Sequence, residues 1–481
     1  MSTSYLGIDI GTSSVKAIVV DEDGDVRARS TASYVTSHPT QGQSQQNPHD
    51  WINGVQRCLA AMSADVRSDI QSIGIDGHVP SLVPVDASGT PTHASLIWQD
   101  SRATVEAQEL GAQLGDAVPH IGTPLPWAPS QLPAKAAWLS RHAPDASAAT
   151  RYLLQPKDFL NHALTGEFAT DPWSSKGLCN VITRRPADAV LSAAGWTPDC
   201  LPTIMNPWQA LGTVSDSAAR RFGLPVGTIV ATGWTDAMAS VLASGAFDAP
   251  AGVILTGTSE IIGISDYSAS PADGLYLVPQ PVAPLALSYG PTQSGGSALV
   301  WISRILGLSV ADALDAASRS SGTPPVFVPY LNGERAPLWN PNVRGHFVGL
   351  GSSHGPAELV RAVTDGVALA ARHVLDTARV GGEHAITEVN VGGRGVDRPA
   401  WIDSRASAIG LPLRLHSEPH LTALGAAMLA ALATGTPPAD IARLRSDVTI
   451  HEPSPAQIER GERLYERYRT AVSFATEWST Q

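Results

Sequence analysis

At the amino end of the chain, apolar positions come in short runs separated by turn residues. Tyr5 to Ile10 is apolar, Gly11-Thr12-Ser13-Ser14 is a turn, and Val15 to Val20 is apolar again, which predicts a strand pair. Asp23-Gly24 is a two-residue hairpin signal leading to a third strand near Val26 to Ser30. From Pro48 the period changes. Trp51, Val55, Leu59 and Met62 follow the three-to-four spacing of a buried helical stripe, with Asn47 as N-cap and Pro48 at the first helical position. Gln71 to Ile75 and Leu82 to Val85 read as strands, and helices are expected near 103–115, 131–142 and 157–164. Ile229 to Ala231 is a strand entering Thr232-Gly233-Trp234-Thr235-Asp236, and the small residues Ala237 to Ser244 form the next helix.

At Gly252 the opening pattern starts again. Val253 to Leu255 is apolar, Thr256-Gly257-Thr258-Ser259 is a turn, and Ile261 to Ile264 is apolar. Two strand–turn–strand segments of the same build suggest two similar halves, at a spacing far too long for a solenoid. The boundary falls near Gly245 to Gly252, dividing the chain into 1–245 and 246–481. In the second half, Ala357 to Val380 is a long helix, Val389 to Val391 a short strand and Leu421 to Leu432 an Ala-rich helix. The chain is α/β throughout.

Length and charge narrow the classes. A chain of 481 residues exceeds one ordinary core. With 43% apolar and only 16% charged residues it is not a disordered chain. A formal net charge of −12 disfavours nucleic-acid binding, since no general field attracts a phosphate backbone. Small anions remain possible ligands, because one turn of backbone N–H groups binds phosphate whatever the net charge. Cys58, Cys179 and Cys200 are far apart and contain no CxxC, which fits a reducing compartment. No stretch reads as a leader peptide or a membrane span, so the expected location is cytoplasmic, with no membrane partner.

Several segments carry chemistry. Asp9, at a strand end beside a glycine- and hydroxyl-rich turn, can hold a hydrated divalent cation while the turn meets phosphate oxygens, and Lys16 adds a positive charge. A plain hairpin would look the same, and GxxxxGK[ST] occurs nowhere. The Thr256-Gly257-Thr258 turn gains weight only from its match with the first. Gly392-Gly393-Arg394-Gly395 follows a strand and permits close approach to a flat ligand such as an adenine–ribose unit, or is simply a turn. It does not fit GxGxxG. Asp236 can accept a proton from a hydroxyl attacking phosphorus, or can cap the helix after it. Asp76-Gly77-His78 and Trp98-Gln99-Asp100-Ser101-Arg102 offer the donors, acceptors and aromatic face of a sugar site. No HExxH or GxSxG is present.

Taken in order, these residues resemble the FGGY carbohydrate kinases, and within them the xylulose kinase-like members. The likeness runs from Tyr5 to about Gly435. It includes Leu6 to Lys16, Leu96 to Arg102, Pro133 to Leu139, Thr232 to Asp236 and Thr256 to Ser259. Most specific is the string Tyr330-Leu-Asn-Gly-Glu-Arg-Ala-Pro-Leu-Trp-Asn340 followed by Arg344-Gly-His-Phe-Val-Gly-Leu350. Gly392-Gly393 and Leu424 to Leu429 complete it. The resemblance implies two ribonuclease-H-like (actin-like ATPase) domains around a central cleft, with sugar mainly on the amino half and ATP mainly on the carboxyl half.

Carried over by motif, the resemblance makes Asp236 the general base and puts Asp9 near magnesium. Thr12, Ser13 and Lys16 lie near the transferred phosphate. Thr258, Gly296 and Gly393 fall at nucleotide positions, with Asp397 on the adenine side. Gly77 and His78 match the sugar contacts, with Asp100 and Arg102 on a neighbouring loop. A homodimer is common in the family. Three departures stand out. Ala237 follows the base where Asn or Gln is usual, and Asp76-Gly77-His78 replaces Gln-Met-His. In the carboxyl signature Asp403 and Ser407 replace Gln and Asp, with one residue inserted near Asp397 to Trp401.

The expected activity is ATP- and Mg2+-dependent phosphorylation of a sugar hydroxyl, with D-xylulose, giving the 5-phosphate, as leading acceptor. Ribulose, a tetrulose, another small polyol or a sugar acid are alternatives within that reading. A catalytically silent sugar or nucleotide sensor and a chaperone- or actin-like ATPase are the other classes.

Overall fold

A computed structural model describes residues 3–320 and 322–479. The chain forms two compact units. The first contains the residues up to Ala243 together with His420–Arg445; the second contains Ser244–Pro419 together with the residues from Ser446 onward. Among the described residues no single helix is long and apolar enough to cross a membrane. Cys58, Cys179 and Cys200 are free thiols, all buried.

The first unit is built on one sheet, in the order Ala210–Thr213, Ile229–Ala231, Ile70–Gly77, Ser4–Ile10, Ser14–Asp21, Val26–Ser33. Ser4–Ile10 pairs antiparallel with Ser14–Asp21 and parallel with Ile70–Gly77. Every residue of Ser4–Ile10 is buried, which explains why its apolar residues fall on both faces, with Asp9 the strand's one charged group: a central strand covered on both faces need not alternate. The helix Pro48–Ala60 buries Trp51, Val55 and Leu59 as the spacing predicts, and its Asn47 N-cap accepts a hydrogen bond from the His49 N–H at 3.1 Å.

The Ala-rich helix Leu421–Ala433 lies in this same unit. A Cβ on Gly7 would stand 1.8 Å from the Ala423 carbonyl oxygen, and one on Gly74 would stand 1.9 Å from that of Ala426. Two bare strand positions thus let the helix backbone rest directly on the sheet. Ser72 Oγ donates to the Ala430 carbonyl at 3.0 Å. A helix that is apolar all round needs cover on every side, and this docking provides it. For that reason one cut at 245/246 misplaces 420–445, which returns to the amino-terminal sheet.

The second unit repeats the plan. Its sheet runs Tyr276–Val278, Ala286–Pro291, Glu260–Asp266, Ala251–Thr256, Val389–Gly393, Leu413–His416, Val448–His451. Ala251–Thr256 is antiparallel to Glu260–Asp266 and parallel to Val389–Gly393, with a further parallel strand and then an antiparallel edge. That is the pairing sequence of the first sheet, strand for strand, with Tyr276–Val278 added at one edge. The helices Gly296–Leu306 and Pro356–Arg379 bury Ile302, Val363 and Val367 against the apolar strand residues Ile254, Ile262 and Val389. Both units therefore carry the mixed sheet of the actin-like ATPase fold.

Candidate active site

In the first unit the chemistry gathers at the carboxyl ends of three strands. Asp9 and Asp76 are register partners across the parallel pair Ser4–Ile10 and Ile70–Gly77. Side chains two apart share a face, so both stand on the face of Gly7 and Gly74, beyond the amino end of the helix Leu421–Ala433. Trp234–Thr235 pairs parallel with Asp76–Gly77, which delivers Asp236 beside them at the start of the helix Asp236–Ser244. The approach needs Gly233: its φ is +79°, and a Cβ would fall 2.0 Å from the Ile75 carbonyl oxygen. A buried ion cluster pins this turn. Lys157 pairs with Asp158 at 2.6 Å and Asp171 at 3.1 Å, and Asn161 Nδ2 donates to the Thr232 carbonyl at 2.7 Å.

The three carboxyls differ in environment. Lys16 Nζ donates to Asp9 Oδ2 at 2.8 Å, an ion pair across the hairpin. Asp76 is fully buried, and no N–H or O–H donor from the described residues satisfies its oxygens. Burial first, then the Asp9 and Asp236 charges, hold the Asp76 carboxyl well above the usual range. Asp236 Oδ1 accepts from the Ala237 N–H at 2.7 Å. Burial, then the charge of Asp9, raises the Asp236 carboxyl to about 7, against the lowering pull of that N–H, Lys176 and Lys16. A carboxyl titrating near neutrality suits general-base work.

The turn Gly11–Ser14 is tied down from behind. Trp98 Nε1 donates to Thr12 Oγ1 at 2.8 Å, Gln46 Nε2 donates to the Thr12 carbonyl at 2.6 Å, and the Tyr34 hydroxyl donates to the Gly11 carbonyl. Ser13 remains exposed. Gly77 ends its strand, and His78 follows with its N–H on the Ile10 carbonyl at 3.1 Å and Nδ1 on Ser81 Oγ at 2.7 Å. Its Nε2 is buried with no partner among the described residues. Burial, then the Lys135 charge, lowers His78 to about 3, so the ring is neutral near pH 7.

Asp100 and Arg102 are engaged with each other. Arg102 Nε donates to both Asp100 oxygens, at 3.0 and 2.9 Å, and the guanidinium lies 4.8 Å above the Trp138 ring. Asp100 also accepts the Ser44 N–H at 2.7 Å. These two residues brace the loop. Lys135, in the Pro133–Leu139 segment, donates to the Pro80 and Ile97 carbonyls at 2.7 and 2.8 Å.

In the second unit the turn Thr256–Ser259 meets two glycine positions. The Gly296 N–H donates to the Gly257 carbonyl at 3.1 Å, and the Ser297 N–H to that of Thr258 at 3.0 Å. Gly393 has φ +91°, and a Cβ there would fall 2.2 Å from the Thr256 carbonyl oxygen. Thr258, Gly296 and Gly393 are thus brought together. Asp397 stands apart, exposed on the turn beyond, with its nearest cation Arg398 at 3.5 Å.

The sequence motifs did not single out several residues the fold assembles. Asp76 came forward as part of a sugar-contact motif, not as a third carboxyl; its alignment with Asp9 depends on strand register. Lys176, on the loop Asp171–Cys179, is close enough for its charge to lower the Asp236 carboxyl. Arg405 pairs with Glu260 in full burial and donates to Thr256 Oγ1 at 2.9 Å, supporting the second turn from below. Glu334 accepts the backbone N–H groups of Gln293 and Arg335, which gives the Asn332-Gly333-Glu334-Arg335 string a bracing role next to Gly296.

The donor set fits a nucleotide and a hydrated cation. Gly296 and Gly393 let their backbones pack directly on the Gly257 and Thr256 carbonyls, 2.7 and 2.2 Å from where a Cβ would stand, so bare backbone surrounds the turn. Asp9, at its strand end, offers the single carboxylate that a cation keeping most of its waters takes.

Known proteins share this architecture and these motifs. Residues 4–243 match the model of the FGGY family of carbohydrate kinases, N-terminal domain, and 252–434 match that of the C-terminal domain. The xylulose kinase of Escherichia coli (strain K12) is 31% identical over 375 residues, 76% of this chain and 77% of its own. The gluconokinase of Bacillus subtilis (strain 168) is 29% identical over 387 residues, 76% and 75% of the two chains. The crystal structure of xylulose kinase from Rhodospirillum rubrum superposes with a TM-score of 0.89 at 27% identity, covering 99% of this chain and 100% of that one.

Proposed function

This chain belongs to the FGGY family of carbohydrate kinases, and from that premise we propose that it transfers the terminal phosphoryl group of ATP to a ketopentose, D-xylulose giving the 5-phosphate. The observation that carries the reading is Asp236: a carboxyl beside Asp9, held near neutrality by burial, at the start of a helix. The acceptor hydroxyl gives its proton to Asp236 Oδ2 while its oxygen bonds to the γ-phosphorus; the bond from that phosphorus to the bridging oxygen breaks and ADP leaves. Bound Mg-ATP supplies the phosphoryl group and its charge screening. The protein's part is positioning and charge. Asp9 takes the hydrated cation, Lys16 and the Thr12–Ser13 turn face the transferred phosphate, and Thr258, Gly296 and Gly393 seat the nucleotide. Gly77 and His78 shape the acceptor pocket, with Asp100 and Arg102 holding its neighbouring loop.

An aldonate acceptor is the second reading. It is favoured by the gluconokinase relative, while Gly77 leaves space where the xylulose kinase pattern has a methionine. A coupled ADP-release screen over D-xylulose, D-ribulose, erythrulose, glycerol and D-gluconate decides. Steady release that rises only with sugar, and most with D-xylulose, supports the first reading. Release indifferent to every acceptor would overturn both.

A further inference from the structure

Lys176 sits in the first unit on the loop Asp171–Cys179, only 3% exposed. Its ammonium lies 4.9 Å over the Trp173 ring and donates one long hydrogen bond, 3.3 Å, to the Trp173 carbonyl. A ring face and one long hydrogen bond serve a buried ammonium with three N–H donors only weakly, an arrangement that costs free energy unless a ligand completes it. The nearest carboxylate on its own loop is already committed. Asp171 pairs with Lys157 at 3.1 Å and accepts the N–H groups of Trp173 and Ser174 at 2.9 and 3.0 Å. The other carboxylate whose field reaches Lys176 is Asp236, and the two form no ion pair. The loop holds the lysine firmly. Gly177 has φ +98°, and a Cβ there would meet Pro133 Cδ at 2.8 Å.

The loop is tied to the turn that carries the base: Asp171 pairs with Lys157 at 3.1 Å, and Lys157 Nζ and Asn161 Nδ2 both donate to the Thr232 carbonyl, at 3.2 and 2.7 Å, just ahead of Asp236. We propose that Lys176 determines acceptor specificity: its ammonium donates to an acceptor oxygen near the hydroxyl whose proton Asp236 takes. This rests on the kinase reading above. The shared chemistry is an oxygen lone pair at that position, supplied either by the carbonyl or a hydroxyl of a ketose or by the carboxylate of a sugar acid.

The test compares wild type with Lys176→Met and Lys176→Gln, using D-xylulose, D-ribulose, glycerol and D-gluconate. Both variants are expected to melt at or above the wild-type temperature, because a poorly served buried charge is removed. For the best acceptor, kcat/KM should fall about a hundredfold in Lys176→Met, while the KM for ATP stays within about twofold. A loss concentrated on the ketoses assigns a ketose oxygen, and a loss concentrated on D-gluconate assigns a carboxylate. A uniform loss across acceptors, a change under about threefold, or failure of both variants to fold would overturn the proposal. Thermal shift with each sugar and no nucleotide is measured in parallel. If wild type binds a sugar but releases no ADP, the kinase reading fails while the Lys176 assignment is still decided by whether Lys176→Met abolishes that shift.

Discussion

Asp236 shows how one side chain acquires a role from its surroundings. Removing its charge while keeping its shape, in Asp236→Asn, should leave the melting temperature within a few degrees and lower kcat by roughly 10²–10⁴-fold. Turnover near wild type at saturating sugar and ATP would take Asp236 out of the mechanism. The sign of the pH dependence follows from the raised pKa. The base works only when ionised, so kcat/KM should fall about tenfold per unit as pH drops below about 7, and the acid limb should vanish in the Asn variant. A limb near pH 4 instead would mean that burial and the Asp9 charge exert no such pressure. Asp9 and Asp236 were legible in sequence because each lies within a short motif, at a strand end or a strand-to-helix turn. Asp76 as a third carboxyl, Lys176 and the Arg405–Glu260 pair were not, since each gains its meaning from a partner far away in the chain. Asp397 was placed on the nucleotide side by motif alignment across an insertion, and it stands exposed on a turn past Gly395.

Among the elements, the ones with a simple period were legible. Strands around 5–10, 15–20 and 229–231 and helices from Pro48 and near 357–380 fall where their apolar spacing put them. The helix Pro455–Trp478 was not read, although Ser454 and Gln457 form a capping box at its start, with the Ser454 N–H on Gln457 Oε1 at 2.8 Å. The helix Leu421–Ala433 was found, but its home was not, because an all-apolar helix carries no stripe to say which surface it covers. The answer lies in glycines on two strands. Gly74→Ala forces a methyl into the Ala426 carbonyl at 1.9 Å, so it should destabilise by about 1–3 kcal/mol or prevent folding. Gly212→Ala, where the nearest atoms lie at ordinary contact from 3.5 Å outward, should stay within about 0.5 kcal/mol. Chemical denaturation of the two variants measures this, and equal effects would remove the close-docking argument.

At the scale of the whole molecule, the repeated sheet makes division of labour the central physical claim. Each unit carries a hairpin turn at the end of its central strand: Gly11–Ser14 in one, Thr256–Ser259 in the other. The turns have the same topology and different company. Around the first stand Asp9, Lys16, Asp76 and Asp236, groups whose chemistry suits proton transfer and cation binding. Around the second stand Gly296 and Gly393, with Arg405 and Glu260 locked beneath as a brace. An acidic chain can bind a polyanion at the second turn because its backbone N–H groups and missing side chains do not depend on net charge. Hydrogen exchange separates the two roles. A non-hydrolysable ATP analogue with Mg2+ should slow exchange across 256–260, 293–297 and 392–395. D-xylulose alone should slow it across 75–78 and 171–179 and leave the second set unchanged. Nucleotide protection confined to the first unit, or sugar protection confined to the second, would mean that the duplicated turns had been given each other's work.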